Sequence, residues 1–247
     1  MSFSDDEIER YARHLVLSEV GGPGQQRLKA ARVAIVGLGG VGGPAALYLA
    51  AAGVGALRLI DDDAVALSNL QRQVLFTGDD LARSKVEAGG AALGRLNPHV
   101  VVEARHERLT GETALDLLAS CDVVIDGTDD FTTRFSVNAA CVASATPLVS
   151  GALGRWSGQV GVFRGKPCYR CLVSDSPPDA ETCARVGVIG ALAGVVGSMA
   201  ALEAIKLITR AGEPLTGRLL IYDGLAGTAR AIGVPADPGC PVCAAGA

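Results

Sequence analysis

The chain reads as an α/β protein: a mostly parallel sheet with helices on both faces, continued by antiparallel strands and a four-cysteine loop. Three observations predict it. Short apolar runs without alternation, such as RVAIV and DVVID, recur between segments of helical period, which marks parallel strands buried on both faces. Strand and helix signals alternate, implying right-handed strand–helix–strand units. The composition is 49% hydrophobic but 4% aromatic, with 32 glycines dispersed through it, so helices with small side chains pack closely on the sheet.

Element by element, residues 5 to 18 place Ile8, Tyr11, Leu15 and Leu17 on one side of an amphipathic helix, which GGPGQQ then breaks. RVAIVG is a strand, GVGGPAALYLAAAG a helix ending at Gly53, and ALRLID the next strand. LARSKVEAGGAALGRL (helix), HVVVEAR (strand), GETALDLLAS (helix), DVVIDG (strand), FTTRFSVNAACVAS (helix) and PLVSG (strand) carry the alternation to about residue 151. Beyond it, GRWSGQVGVF alternates like an exposed antiparallel strand. A Pro/Cys/Asp-rich loop follows over 165–185, then an apolar helix, then two short strands in GRLLIYDG and TARAIGV.

This organisation predicts one domain over 1–247, with an N-terminal helical segment at 1–30, a nucleotide-binding half at 31–151 and an elaboration of the same sheet at 152–247. At 247 residues, folding buries roughly three quarters of the extended surface, enough for a core without disulfides. The net charge of -4 and the lack of a basic cluster disfavour nucleic acid and anionic lipid as partners. The acidic N-terminus is unlike a secretory signal, so the expected compartment is the cytoplasm. A membrane helix wants about 20 apolar residues, and Glu203 and Lys206 interrupt the run from 186 to 208, which therefore reads as a buried helix.

The chemistry begins at VGLGGVG, where Gly37, Gly39 and Gly42 stand in G-x-G-x-x-G order between a strand and a helix. Such glycines permit a tight turn and close backbone approach, while the helix N-terminus offers unpaired N–H groups to a phosphate. Asp61 ends the second strand about 20 residues later, where a carboxylate accepts hydrogen bonds from both ribose hydroxyls. That pair fits NAD or ATP equally, and a Rossmann-like oxidoreductase stays open at this point. Arg72 and Lys85 add the positive charges a triphosphate wants. Asp126, Asp129 and Asp130 lie at the carboxyl end of the fourth strand, beside the crevice where open α/β sheets bind ligands. They suit either Mg²⁺ holding or capping of the helix that follows.

Cys168 and Cys171, with Cys240 and Cys243, make two C-x-x-C knuckles whose four thiolates describe a closed, structural zinc site. A zinc-stapled scaffold without chemistry is a third reading of the same residues. Cys121 and Cys141 fall in core patterns. Cys183 sits in a polar loop before the apolar helix, where Arg185 and a helix start would lower a thiol pKa, and both a reactive and an inert role stay open.

RYARHL, VAIVGLGGVG, LIDDDAVALSNLQRQ, SKVE, DGTDD, GQV, PCYRC, TCARVGVIG and GCPVC occur nearly end to end in an order that resembles the MoeB/ThiF family of E1-like adenylyltransferases. The resemblance implies that Gly40, Asp61, Ser68, Asn69, Arg72 and Lys85 bind ATP, with Asp130 beside them. It further implies that Asp129 positions Mg²⁺ and the phosphates, that Arg13 reaches the triphosphate from the other subunit of a homodimer, and that the paired cysteines hold zinc. Activity would be adenylation of the Gly-Gly terminus of a small ubiquitin-like sulfur carrier in molybdopterin or thiamine biosynthesis, with Cys183 matching a loop cysteine used for sulfur transfer only in the thiazole branch. Asp130 departs from an asparagine frequent in the family. No rhodanese segment follows Cys243, so a separate sulfur donor is expected.

Overall fold

A computed structural model describes residues 2–175 and 187–244. Five strands run parallel: β1 (Arg32–Val36), β2 (Ala56–Ile60), β3 (Val101–Arg105), β4 (Val123–Asp126) and β5 (Leu148–Leu153). Three more, β6 (Ser157–Phe163), β7 (Arg218–Asp223) and β8 (Thr228–Gly233), continue the sheet antiparallel. The order is β3-β2-β1-β4-β5-β6-β7-β8. The chain therefore winds outward from β1 to β3, then restarts at β4 on the other side, leaving a topological switch point between β1 and β4.

The strands between residues 31 and 151 fall where the apolar runs predict. β6 corrects one expectation: it is buried over most of its length, because it pairs with β5 and β7 on its two edges and a long helix lies against it. Alternation there comes from Gly158 and Gly161 rather than from a solvent face.

The N-terminal expectation is corrected twice. Residues 5 to 18 form two short helices, α1 (Asp5–Arg10) and α2 (Ala12–Leu15), with Ile8 and Leu17 exposed. Ser4 and Glu7 cap α1 reciprocally, and Tyr11, buried at the break, receives a hydrogen bond on its hydroxyl from Asn97 Nδ2 at 2.8 Å. The segment GGPGQQ does not end a helix; it begins α3 (Gly21–Ala30). A proline in the first turn costs nothing there, since that N–H has no intrahelical acceptor.

Helix α4 (Gly42–Ala51) follows the glycine turn, and α5 starts at Lys85, running to Leu96 rather than beginning at Leu81, with Ala82 left-handed at φ 64°. Next come α6 (Ala114–Leu118) and α7 (Phe131–Ala143), while the cysteine loop contains a single turn, α8 (Tyr169–Leu172). The apolar helix is α9 (Gly190–Thr209). It is long and apolar enough to cross a membrane, yet half of it is buried inside this fold, against α3, α4, β5 and β6. Its Glu203, 5% exposed, accepts hydrogen bonds from Lys206 Nζ at 2.6 Å and the Leu215 N–H at 2.7 Å.

Glu203→Ala is expected to leave that buried N–H unpaired and to lower stability by about 2 kcal/mol. Urea denaturation checks it: the midpoint should fall with the slope unchanged.

Candidate functional site

A cleft of about 470 Å³ opens at the carboxyl ends of β1, β2 and β4, over the switch point. Its floor is the turn after β1. Gly37 has φ 82°, and a Cβ there would sit 3.0 Å from the Thr128 nitrogen. At Gly42 a Cβ would lie 2.0 Å from the Gly37 carbonyl oxygen, so Gly42 serves the approach of α4 to the turn and does not line the cleft. Gly39 and Gly40 do line it. Their N–H groups donate to no acceptor among the described residues, which leaves them free for an anion at the start of α4.

Asp61 closes one end. Its Oδ2 accepts the Leu38 N–H at 2.6 Å, its Oδ1 accepts the Asp63 N–H at 2.8 Å, and Lys85 Nζ stands 3.8 Å from Oδ1. Burial pushes its pKa up, and Lys85 and the two N–H groups offset this only in part. Lys85, 4% exposed, makes a closer pair with Asp63 at 2.6 Å, so a phosphate arriving here competes with an exposed carboxylate. Asn69 lines the wall, and Arg72 hangs beside it by one hydrogen bond to the Ser68 carbonyl at 3.2 Å. Ser68 itself is exposed and contributes no cleft surface: the short helical turn over Leu67–Asn69 aims Asn69 inward and Ser68 out.

Asp129 and Asp130 form the opposite wall. Asp129 is exposed and makes no hydrogen bond or ion pair among the described residues, so both oxygens are available. Asp130 caps α7 by accepting the Thr133 N–H at 2.8 Å, and Arg108 lies 3.8 Å from its other oxygen. The structure thus brings together Gly37, Gly39, Gly40, Asp61, Asn69, Arg72, Lys85, Asp129 and Asp130. Arg13, exposed on α2, is away from the cleft of its own chain. Cys183 lies outside the described residues.

Away from the cleft, the four paired cysteines converge, every sulfur within 4.8 Å of the others. Cys168 and Cys240 sulfurs are 3.6 Å apart, and Cys171 and Cys243 sulfurs 3.4 Å. A tetrahedron with Zn–S bonds of about 2.3 Å has edges of about 3.8 Å, so the donor set and its spacing fit zinc. Asn138 Nδ2 and the Asp237 N–H donate to Cys168 and Cys171 sulfurs, the outer-shell support a thiolate site needs. Cys121 and Cys141 are buried, and burial pushes both thiols up, which makes them inert packing groups.

Residues 11–242 match the ThiF family. This chain is a member of the ThiF family. Among its relatives is an Escherichia coli protein named sulfur carrier protein ThiS adenylyltransferase, 45% identical, with 97% of this chain and 96% of the relative covered. Another, from Salmonella typhimurium, is named molybdopterin-synthase adenylyltransferase; it is 43% identical over 97% of this chain and 98% of the relative. The crystal structure of PaaA superposes with a TM-score of 0.82 at 27% identity, over 94% of this chain and 75% of that one.

Several residues of this ThiF-family cleft escape sequence reasoning. Arg134 is buried at its inner end and pairs with Asp126 at 3.4 Å. Its position four residues after the α7 cap was the available signal. Gln73 is buried along the wall, and its Oε1 has no partner among the described residues. Arg108 comes from the loop after β3, a segment without any motif.

Ribose hydroxyls donate to an ionised carboxylate, so nucleotide affinity should be full above the raised pKa of Asp61 and fall as pH drops through it, earlier than for an ordinary Asp. In the empty protein the same raised pKa acts on stability in the opposite sense: ionised Asp61 costs stability above its folded pKa, and the cost disappears below the ordinary value of 3.8. Equilibrium dialysis of ATP from about pH 7 to about pH 4 reads the first effect. An affinity flat across that range removes Asp61 from the ribose.

Proposed function

We propose that this protein is an ATP-dependent adenylyltransferase that activates the C-terminal Gly-Gly carboxylate of a small ubiquitin-like sulfur carrier. One carboxylate oxygen attacks the α-phosphorus, the bond to the bridging oxygen breaks, and pyrophosphate leaves with both electrons. The product is an acyl-adenylate.

The observation that carries this reading is one cleft that holds a ribose-type acid with Lys85 3.8 Å from it, a glycine turn with free N–H groups, Arg72, and Asp129 on the opposite wall. Phosphoryl chemistry of this kind needs positioning and charge neutralisation more than a general base. Asp61 would hold the ribose. Gly39 and Gly40 N–H groups, Arg72 and Lys85 would hold phosphate oxygens, with Asn69 alongside. Asp129 would hold Mg²⁺, which when bound would offset the repulsion between the phosphates and the acids of the cleft. The four cysteines would hold zinc in a closed structural site.

The names of the relatives support carriers of the thiamine and molybdopterin branches alike. A separate protein then supplies sulfur to the adenylated carrier, and the reaction runs in the cytoplasm. We further place the protein in a homodimer in which Arg13 completes the partner's cleft. Supporting this, α4 and α9 leave an apolar groove of about 650 Å³ lined by Leu47, Tyr48, Val74 and Met199.

ATP–pyrophosphate exchange with each purified carrier, followed by the mass of the carrier terminus, tests the reaction; absence of exchange with every candidate carrier would leave only a scaffold. Arg72→Ala and Lys85→Ala should each slow exchange about 10²-fold or more, by analogy with lost oxyanion donors. Near-normal exchange in either variant excludes that residue. Mixing subunits of Arg13→Ala and Lys85→Ala, each impaired alone, should restore exchange, because one hybrid cleft then holds both groups. No recovery after verified subunit exchange removes Arg13 from the partner's site.

A further inference from the structure

Helix α7 carries three polar grips one turn apart on a single face: Asp130, Arg134 and Asn138. Asp130 caps the helix at the cleft. Arg134 is buried and donates to groups from two strand ends, Asp126 Oδ2 at 3.4 Å, Ser150 Oγ at 3.0 Å and the Gly151 carbonyl at 2.9 Å, and also to the Thr128 carbonyl. Thr128 in turn donates to Asp126 Oδ1 through both its N–H and its hydroxyl, at 3.0 and 2.7 Å. The backbone that presents Asp129 is thus held from below by one guanidinium.

The third grip, on the same face, holds a different partner. Asn138, 1% exposed, accepts the Tyr169 N–H at 2.8 Å and donates to Cys168 Sγ at 3.5 Å. Tyr169, between Cys168 and Cys171, sets its ring centroid 5.9 Å from Arg134 Cζ. The same ring packs edge-on against Phe163 at 5.6 Å. The phosphate-end loop and the four-cysteine cluster are therefore two ends of one buried polar chain. Asp126 keeps Arg134 charged against the cost of its burial. Neither end shifts without unpairing a buried group.

We propose that Arg134 is a positioning residue for adenylyl transfer, and that through Tyr169 and Asn138 it couples the four-cysteine metal site to the nucleotide cleft. The inference rests on the adenylyltransferase reading and extends it. A guanidinium fork reaches several acceptors in fixed directions; an ammonium in its place keeps the charge but cannot hold two strand ends and the loop together. Coupling between two binding sites is reciprocal: a nucleotide that needs the loop ordered also steadies the cysteines, and metal at the cysteines steadies the loop.

The test uses the zinc-loaded protein. Nucleotide binding is first measured by equilibrium dialysis with a non-hydrolysable ATP analogue and Mg²⁺, and zinc release to a chromophoric chelator is then timed with and without that analogue. In the wild type the analogue should slow release about fivefold or more, and in Arg134→Lys that protection should vanish. Exchange by Arg134→Lys should lose about 10²-fold in kcat, as expected for a misplaced reacting group, with KM for ATP little changed. Equal release rates in a wild type that demonstrably binds the analogue overturn the coupling, whatever the variant does. A variant with wild-type kcat overturns the positioning role. So does one whose activity returns on cooling in step with its thermal unfolding curve, since the defect is then stability alone. A wild type that binds no nucleotide removes the adenylyltransferase reading and this inference with it.

Discussion

The cleft depends on a place where three stretches of backbone meet without side chains between them. The turn after β1, the loop after β4 and the start of α4 approach so closely that a Cβ at Gly42 would fall 2.0 Å from the Gly37 carbonyl oxygen, and one at Gly127 2.9 Å from the Gly42 nitrogen. Helix α9 presses on the same point, a Cβ at Gly197 falling 2.5 Å from the Val41 carbonyl oxygen. No side-chain rearrangement relieves contacts of backbone with backbone. The crossing fixes where the free N–H groups point, how far Asp61 stands from Asp129, and why the switch point is an open crevice with a rigid floor. An interior packed at crystal-like density transmits such a constraint outward. The glycine-rich α9 is accordingly a core element of the nucleotide cleft as much as of the C-terminal half.

That constraint also explains which parts of the molecule were legible in the sequence. The parallel strands were, because burial on both faces forbids alternation and RVAIV or VVID carries no other period. The glycine turn and Asp61 were, because tight backbone approach admits so few residue types. β6 was misread: its glycines mimic a polar alternation, but Gly158 exists for the close pass of Val196, 2.3 Å from a Cβ placed there. The start of α3 was misread for a related reason. GGPGQQ has the composition of a turn, and only the packing of Gln25 and Leu28, both fully buried, decides that the chain coils there.

Site residues divide the same way. Asp61, Asn69, Arg72, Lys85 and Asp129 stand in short motifs whose spacing encodes one turn or one strand end, so their meeting follows once the topology is right. Gln73 ends the same motif as Asn69 and Arg72 and was passed over, whereas Arg134 and Arg108 share no motif with those partners. Arg134 meets Ser150 and Gly151 only because β5 lies next to β4, and Arg108 meets Asp130 only because the loop after β3 reaches across two strands. Pairings made by sheet order are invisible to local spacing. Ser68 errs in the other direction: it belongs to the motif by position, yet a short helical turn points it to solvent.

Asp130 shows how such a long-range pairing changes the chemistry. Taken alone, a carboxylate in place of an amide puts one more negative charge beside the proposed phosphate site, where Asp61, Asp63 and Asp129 already oppose an anion. In the fold both of its oxygens are engaged, one by the Thr133 N–H at the positive end of α7 and one by the Arg108 guanidinium at 3.8 Å. A helix N-terminus favours an anion by itself, and a guanidinium at that distance adds screening, though an exposed pair contributes little stability. The charge is therefore balanced locally, while the Asp129 oxygens stay uncommitted among the described residues and open to the proposed metal-facing role. Asp130 is thereby tied to the rim by a helix N-terminus and a guanidinium, and of the two neighbouring acids it is Asp129 that stays open toward the cleft.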